Sequence, residues 1–272
     1  MPRKPSTERC IVTGSTPQPV GGAILVRMTE PEEDPPRLRR AEAVLRRRTS
    51  RIVLVLEQAW NDENVQAVLR TAESFGVQHV WSVRHPHGRR RVQRSVTRGS
   101  HDWLSLRTFE TSAELLEALR AEGLRIWASD LSSPAEVVTS AADLRPVPER
   151  VALVIGREVD GVSDELLAAA DRRLYLPMQG FTESFNLSVA TALFLQRLFD
   201  ADPELVGAMD ETERAALRAS WYPRLGGRDE RKRARYAEHL GAPPEPWDDP
   251  RPLDEHRRPR FKKRALWRRE ES

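Results

Sequence analysis

Short apolar runs alternate with amphipathic segments through the middle of the chain. Six of these runs have the length and composition of buried strands, and they cover residues 52–57, 79–83, 104–109, 124–130, 151–155 and 173–176. Apolar spacing and end signals predict helices at 64–74, in SAELLEALRAEG (112–123), after Ser163 and in LSVATALFLQRLF (187–199). Strands and helices that alternate in this way predict an α/β fold with a parallel sheet of five or six strands.

The two ends of the chain differ from this middle part. Residues 1–35 combine proline, glycine and the acidic run EPEEDPP, which predicts a disordered leader. The segment RLRRAEAVLRRR then has helical spacing, and we expect one domain over residues 36–200. Residues 201–272 contain ETERAALRAS and GRDERKRARYAEHL, predicted as two charged helices around WYPRLGG, followed by a basic, proline-rich tail predicted to be poorly ordered.

Arginine is unevenly distributed, although the formal net charge of the 272 residues is only +3. Cations cluster at 37–51, at 84–98 and near the end, and guanidinium groups suit phosphate oxygens. The alternative for each cluster is a solvated face without a partner. The cations predicted to contact nucleic-acid phosphates are Arg39, Arg40, Arg46, Arg47, Arg48, Arg89, Arg90, Arg91, Arg231, Lys232 and Arg233.

Several classes of protein are disfavoured by the composition. The single cysteine, Cys10, excludes an intramolecular disulfide. No apolar run approaches the roughly 18–20 residues that span a bilayer, and the start MPRKPSTERC lacks a signal-peptide core, so we expect a soluble cytoplasmic protein. Nucleotide-binding glycine fingerprints are missing, and HPH (85–87) has no accompanying ligand pattern, so no metal is expected.

Two predicted strands end in glycine-containing polar loops. VALVI (151–155) runs into Gly156, and LYL (174–176) runs into the loop PMQGFTESFN (177–186). Glycine lets another group approach the main chain closely, so strand ends of this kind commonly deliver backbone groups to a ligand. Since one helix separates the two strands, a single site built from both loops is predicted.

A third polar segment follows the first predicted strand. In QAWNDENVQAVLRTAESFGV, Asn64 and Arg70 are six residues apart, so they need not share one helix face. Asn64 can simply cap the helix, and an isolated helix arginine is usually a surface cation. From these two residues alone, a purely structural role and a role in a functional site both stay open.

Together, the three segments resemble a known enzyme family. N-x5-R-T-A-x-x-F-G-V (64–77), I-G-x-E-x-x-G-V (155–162) and L-P-M-x-G-x-x-x-S-x-N-L-S-V-A (176–190) are similar to the motifs of SPOUT-class RNA ribose methyltransferases of the TrmH (SpoU) family. The resemblance covers about residues 37–200. It implies transfer of a methyl group from S-adenosylmethionine to a ribose 2′-hydroxyl, a C-terminal trefoil knot that threads 177–186, and a homodimer formed through the knot.

The resemblance also implies a role for particular residues. Arg70 would activate the hydroxyl or stabilise the developing alkoxide. Asn64 would orient Arg70 or the ribose. Glu158 would hold a helix start or a substrate group, while Ser184 and Asn186 would position the catalytic loop; Glu158 and Asn186 have purely structural capping roles as alternatives. Main-chain groups near the following residues would hold the cofactor: Ser129, Gly156, Leu176 and Phe185.

The short helical segment before the first strand and the basic C-terminal helices resemble those of family members that methylate the D-loop guanosine at tRNA position 18. Two alternatives remain open: a ribose methyltransferase of the same fold that acts on rRNA or on the tRNA anticodon loop, and a non-catalytic RNA-binding protein. The residues at Asn64, Arg70, Glu158, Ser184 and Asn186 match the family motifs and argue against the second alternative.

Overall fold

A computed structural model describes residues 35–59, 61–85, 99–157 and 159–250 of the chain. Its strands form one sheet in which every pair is parallel, in the order β3-β2-β1-β6-β4-β7-β5. The strands are β1 (Thr49–Glu57), β2 (Val77–Val83), β3 (Ser105–Phe109), β4 (Arg125–Ser129), β5 (Glu136–Val137), β6 (Val151–Ile155) and β7 (Arg172–Tyr175).

The parallel α/β fold is confirmed, but the strand number is not. The described residues form seven strands instead of five or six, and the extra one is β5. This strand has two exposed residues that pair with Leu174 and Tyr175 of β7. A strand of this length carries no period in the sequence, so only its pairing partner defines it.

Seven α-helices are present among the described residues: α1 (Pro36–Leu45), α2 (Asp62–Phe75), α3 (Ser112–Ala121), α4 (Asp164–Ala169), α5 (Leu187–Ala201), α6 (Glu211–Leu225) and α7 (Glu230–Glu238). None of these helices is long and apolar enough to cross a membrane.

The central strands are buried on both faces. Ile52, Leu54 and Leu56 of β1 pack in one core with residues of α2 and α5. The alternate residues Val53 and Val55 face a second core built with α3 and α4. Burial on both faces explains why the β1 and β6 sequences are continuous apolar runs and do not alternate with polar residues.

Local end signals place the helices of the sheet domain. Gly76 ends α2 in the left-handed region with φ 81, as the sequence predicted. The start differs from the prediction because Asn61, not Asn64, is the N-cap. The Asn61 side chain accepts hydrogen bonds from the backbone N–H groups of Glu63 and Asn64, so α2 begins at Asp62.

The C-terminal extension is packed against the domain instead of projecting from it. The two predicted charged helices are present, but α6 continues through Trp221 and Tyr222, whose side chains are buried. The break therefore begins only at Gly226, the end of the WYPRLGG segment. Pro223 lies in the last turn of α6, where it removes one intrahelical hydrogen bond, and the helix ends two residues later at Leu225. Trp247 donates its backbone N–H to the Arg39 carbonyl at 3.4 Å, so residues up to 250 follow the surface of α1.

Arg48 is buried, which corrects its prediction as an RNA contact. Its side chain is 0% exposed, donates to Glu73 Oε1 at 3.0 Å and lies over the Trp221 ring at 5.2 Å. Burial lowers the pKa of the Arg48 guanidinium. The sequence shows only that this arginine belongs to a basic run, whereas α6 covers it in the folded chain.

A buried ionic group joins α1 to α6. Arg218 donates to both carboxylate oxygens of Glu42 at 2.8 and 2.9 Å, and the Tyr222 hydroxyl donates to Glu42 Oε1 at 2.7 Å. The hydrogen bonds to Glu42 raise the pKa of Arg218, and burial raises the pKa of Tyr222. The three buried side chains are hydrogen-bonded to one another, so this group holds the C-terminal extension against α1.

A second contact joins α6 to the sheet. The Glu213 carboxylate accepts from His79 of β2 at 2.7 Å, and this hydrogen bond lowers the pKa of Glu213. The extension is thus fixed to the sheet domain at more than one point. The domain boundary near residue 200 stays a prediction, and residues 1–34 of the predicted leader lie outside the described residues.

We predict that Glu42→Gln lowers the free energy of unfolding by about 3 kcal/mol, because it leaves the Arg218 charge buried without its carboxylate. Urea denaturation at neutral pH measures the change. The matched control is Glu211→Gln, which removes a 65% exposed carboxylate from the same guanidinium and should cost less than about 1 kcal/mol. Equal losses in the two variants would contradict the assignment.

Candidate active site

The carboxyl ends of β4, β6 and β7 meet at a cavity of about 770 Å³. The volume lies within the range of about 300–1,000 Å³ that is typical of small-molecule sites. All four residues predicted to hold a cofactor line it: Ser129, Gly156, Leu176 and Phe185. The two strand ends therefore line one cavity, and the binding of a cofactor there stays a prediction.

The loop after β6 folds back tightly on itself. Arg157 and Gly161 form an isolated antiparallel bridge, with backbone hydrogen bonds of 2.9 and 3.2 Å. A Cβ atom at Gly156 would lie 2.1 Å from the Gly161 carbonyl carbon, a distance that no packing change can accommodate. Glycine at 156 is thus required for the loop to close beside the cavity.

A buried carboxyl group fixes the end of this loop. Glu57, the last residue of β1, is 1% exposed and accepts from the Ser163 backbone N–H at 2.7 Å. The Ser163 and Ser112 hydroxyls donate to its other oxygen at 2.6 Å each. Since Ser163 is the N-cap of α4 and Ser112 is the first residue of α3, Glu57 connects the end of β1 with two helix starts.

The third polar segment joins the cavity through a pair of carboxamides. Asn186 donates from Nδ2 to Asn64 Oδ1 at 2.9 Å. The same Asn186 caps α5 by accepting from the Ser188 backbone N–H at 2.9 Å. Asn186 therefore has the capping role that the sequence left open as an alternative, and it also connects α2 to the loop after β7.

The remaining predicted catalytic residues are placed differently. Ser184 lines the cavity and is exposed. Arg70 is exposed on α2, six residues or about 9 Å along the helix axis from Asn64, and it does not line the cavity. Glu158 lies outside the described residues. The structure thus brings together Asn64, Ser184 and Asn186, but not Arg70.

The basic residues fall into three groups. Arg231, Lys232 and Arg233 are exposed on α7, while Arg40 is partly buried on α1. A second group contacts the C-terminal segment: Arg39 donates to the Glu245 carbonyl at 3.0 Å, Arg46 pairs with the Glu245 carboxylate at 3.4 Å, and Arg47 donates to the Asp248 carbonyl. The third group lies outside the described residues and comprises Arg89, Arg90 and Arg91.

Charged side chains of both signs line the cavity. Asp130, Asp160 and Glu183 line it with carboxylates, and Arg157 pairs with Asp160 at 3.3 Å. Among the described residues, no three histidine, cysteine or acidic side chains are grouped as a metal would require. The lining can therefore accept a ligand with a cationic group and several N–H donors.

Sequence reasoning missed two residues that build this site. Glu57 was assigned only to the end of a strand, and Asn61 was passed over in favour of Asn64. Asn61 could have been found, because asparagine directly before the acidic pair Asp62-Glu63 is a strong helix-start signal. For Glu57 no local signal exists, since both of its partners are distant in sequence.

The sequence of this chain is similar to those of known proteins. The model of the SpoU rRNA Methylase family matches residues 51–196. The tRNA (guanosine(18)-2′-O)-methyltransferase of Escherichia coli K12 is 34% identical over 164 residues, which cover 60% of this chain and 69% of that protein. The enzyme of the same name from Thermus thermophilus is 35% identical over 159 residues, covering 58% and 79% of the two chains.

A solved structure also has this architecture. The crystal structure of the A. aeolicus TrmH/SpoU tRNA modifying enzyme superposes with a TM-score of 0.62 at 25% identity, over 70% of this chain and 96% of that one. The family resemblance carried by the three motifs is therefore confirmed, and the matched region contains every residue that lines the cavity. The chain belongs to the SpoU rRNA Methylase family, and it is a methyltransferase.

Proposed function

We propose that the protein transfers a methyl group from S-adenosylmethionine to the ribose 2′-hydroxyl of the guanosine at position 18 in the tRNA D-loop. One observation carries the proposal: the Asn186–Asn64 hydrogen bond joins the ligand-sized cavity to the helix that carries Arg70. The cavity and the polar helix are the two halves that a transfer between a small molecule and an RNA requires.

The residues around the cavity fit this cofactor. Leu174 and Leu176 provide apolar contacts for an adenine ring, and the close backbone at Gly156 leaves main-chain groups accessible. The carboxylates of Asp130, Asp160 and Glu183 complement a sulfonium and an ammonium group. When bound, the cofactor supplies an electrophilic methyl group, which a hydroxyl oxygen can attack in one displacement.

The side chains then have to activate and orient a weak nucleophile. A ribose hydroxyl is poorly nucleophilic at neutral pH, so a positive charge that stabilises the developing alkoxide accelerates the reaction. Arg70 is assigned this role, with Asn64 and Asn186 orienting the ribose and Ser184 holding the loop. Glu158, which follows β6 in the sequence, is assigned to hold a helix start or a substrate group. A nucleotide in the site would bring the ribose to the exposed Arg70.

The choice of tRNA rests on the relatives and on the extension. The two bacterial relatives described above are named as guanosine-18 tRNA methyltransferases. The exposed cations Arg231, Lys232 and Arg233 of α7 are suited to the tRNA backbone, and Arg40 on α1 adds to them. Action on rRNA or the anticodon loop, and RNA binding without catalysis, are the competing outcomes of the assay below.

The backbone path and the apolar surface support two further proposals. Strand β7 inserts between the earlier strands β4 and β5, a crossing that is compatible with a trefoil knot that threads 177–186. Near the cavity, Val159, Phe181 and Val189 are 90%, 108% and 45% exposed, respectively. A homodimer formed through this region would remove such side chains from water.

We expect the wild-type protein to methylate an unmodified tRNA transcript, and nucleoside mass mapping should locate the methyl group at guanosine 18. Arg70→Ala should lower the rate about 100-fold or more while the cofactor dissociation constant stays unchanged, because one charge that stabilises the transition state is lost.

The matched control is Arg120→Ala, which removes an exposed arginine from α3, a helix that does not line the cavity. This variant should keep wild-type turnover. Label confined to rRNA would refute the tRNA assignment, and the absence of transfer to any RNA would favour a binding protein. Near-normal turnover of Arg70→Ala would exclude Arg70 from catalysis.

Gly156→Ala should weaken cofactor binding by about tenfold or more, because its Cβ would force the 156–162 loop out of position. Calorimetric titration with S-adenosylhomocysteine measures the loss. Gly180→Ala is the control, since a Cβ atom there would meet nothing within 4 Å, and it should bind within about twofold of wild type. Wild-type affinity in Gly156→Ala would place the cofactor elsewhere.

Sedimentation equilibrium should give twice the mass of one chain. Val189→Glu, on the exposed side of α5, should shift the protein to monomer because an uncompensated charge would be buried at the interface. Val206→Glu introduces the same charge at another exposed valine and should leave the dimer intact. A monomeric wild-type protein would refute the proposal.

A further inference from the structure

A second, smaller cavity lies on the other side of α2. Its volume is about 160 Å³, and it is the unfilled part of the contact between α2 and the β2–β3 edge of the sheet. Two rows of side chains form its floor. Leu56, Ser82 and Thr108 are in register across β1, β2 and β3, and Val80 and Leu106 form the row below.

The cavity contains a buried polar atom that has no hydrogen-bond partner among the described residues. Gln66 lines it, is 2% exposed, and its Oε1 accepts no hydrogen bond from the part of the chain that the structure describes. Leaving such an acceptor buried costs about 1–3 kcal/mol, so the position calls for an explanation. Asp62, four residues earlier and on the same face of α2, adds a carboxylate to the lining.

The first turns of α2 contribute residues to both this cavity and the main one. Asn64 lies between Asp62 and Gln66 in the sequence, and a helix turns about 100° per residue, so Asn64 points away from both. The first turns of α2 therefore carry Asn64, which is bonded to Asn186 of the main cavity, on one side and the Asp62–Gln66 pair on the other. Arg70, four residues after Gln66, lies on the side of this pair. A nucleotide that is turned out of its RNA stack, with its ribose at Arg70, therefore has its base on the side of the Asp62–Gln66 pair.

The size and chemistry of the lining select one kind of group. Cavities of about 150 Å³ accept a six-membered ring such as benzene, and the apolar floor suits a flat ring. Leu106 is 47% exposed, which provides an apolar surface at an open edge strand. A carboxylate and a carboxamide oxygen accept hydrogen bonds, so the ring that fits best is one whose edge presents several N–H donors.

We infer that this cavity receives the Watson–Crick edge of the guanine whose ribose is methylated, with Asp62 and Gln66 as its acceptors. The inference rests on the proposed function, because it assumes a flipped guanosine in the RNA substrate. Guanine carries three N–H bonds on that edge, against two for adenine or cytosine and one for uracil. Unpaired bases are commonly read in this way by proteins that act on RNA.

The test compares transcripts that carry guanosine or inosine at the methylated position, since inosine lacks only the 2-amino group. Wild-type protein should transfer methyl to the guanosine substrate about tenfold faster or more, measured as kcat/KM with labelled cofactor. Asp62→Asn and Gln66→Leu should each reduce this preference to below about threefold, with the cofactor dissociation constant unchanged.

Two controls separate recognition from folding. Glu63→Gln makes the same charge change on the exposed neighbour of Asp62 and should keep the full preference. Gln66→Leu should not lower the melting temperature, because it replaces an unsatisfied buried group with an apolar one of similar size. A purely structural role for Gln66 would instead destabilise the protein without changing the ratio of the two substrates.

Several results would overturn the inference. These are equal rates on the two transcripts with wild-type protein, an unchanged preference in both variants, or a methylated nucleotide other than guanosine. Methylation of a guanosine elsewhere in tRNA or in rRNA would refute the proposed target alone, and the inosine comparison would then be made at that nucleotide. If no RNA is methylated, the inference fails together with the proposed function.

Discussion

The buried carboxyl group of Glu57 is the contact on which the geometry of this site depends. It ends the central strand β1 and accepts hydrogen bonds from Ser112 and Ser163. The chain then turns sharply at Gln58, which has a φ of 48 and is the one residue other than glycine with a positive φ in the described part of the chain. Three residues later Asn61 caps α2. One group thus fixes the start of α3 and the start of α4, next to the point where the chain turns toward α2.

Further hydrogen bonds connect the loops that line the cavity to the sheet and to α2. The Gly156–Val162 loop is fixed at its far end by the bond from Ser163 to Glu57, and at its near end by strand β6 beside β1. The loop after β7 is joined to α2 by the Asn186–Asn64 bond. The ligand cavity and the polar helix are therefore held in register through hydrogen bonds between residues distant in sequence, which suits a reaction that requires an aligned nucleophile.

Local signals in the sequence were sufficient for much of this fold. The apolar runs of β1 and β6 identified central strands because a strand buried on both faces has no polar positions, and Gly76, Ser163 and Asn186 marked helix ends through their own backbone and side-chain chemistry. The three motifs likewise identified the family, and Asn64, Ser184 and Asn186 of these motifs line the cavity, whereas Arg70 does not. These features depend on neighbours a few residues away, which is why a sequence alone reveals them.

Tertiary structure decided everything that depends on a distant partner. β5 is a strand only because β7 lies beside it, α6 passes through Pro223 because Trp221 and Tyr222 are buried, and Arg48 is unavailable to RNA because α6 covers it. The hydrogen bonds of the Glu57 carboxyl group and the burial of the Gln66 carboxamide likewise depend on residues distant in sequence. Burial and pairing are properties of the assembled chain, so no local pattern of residue types could reveal them.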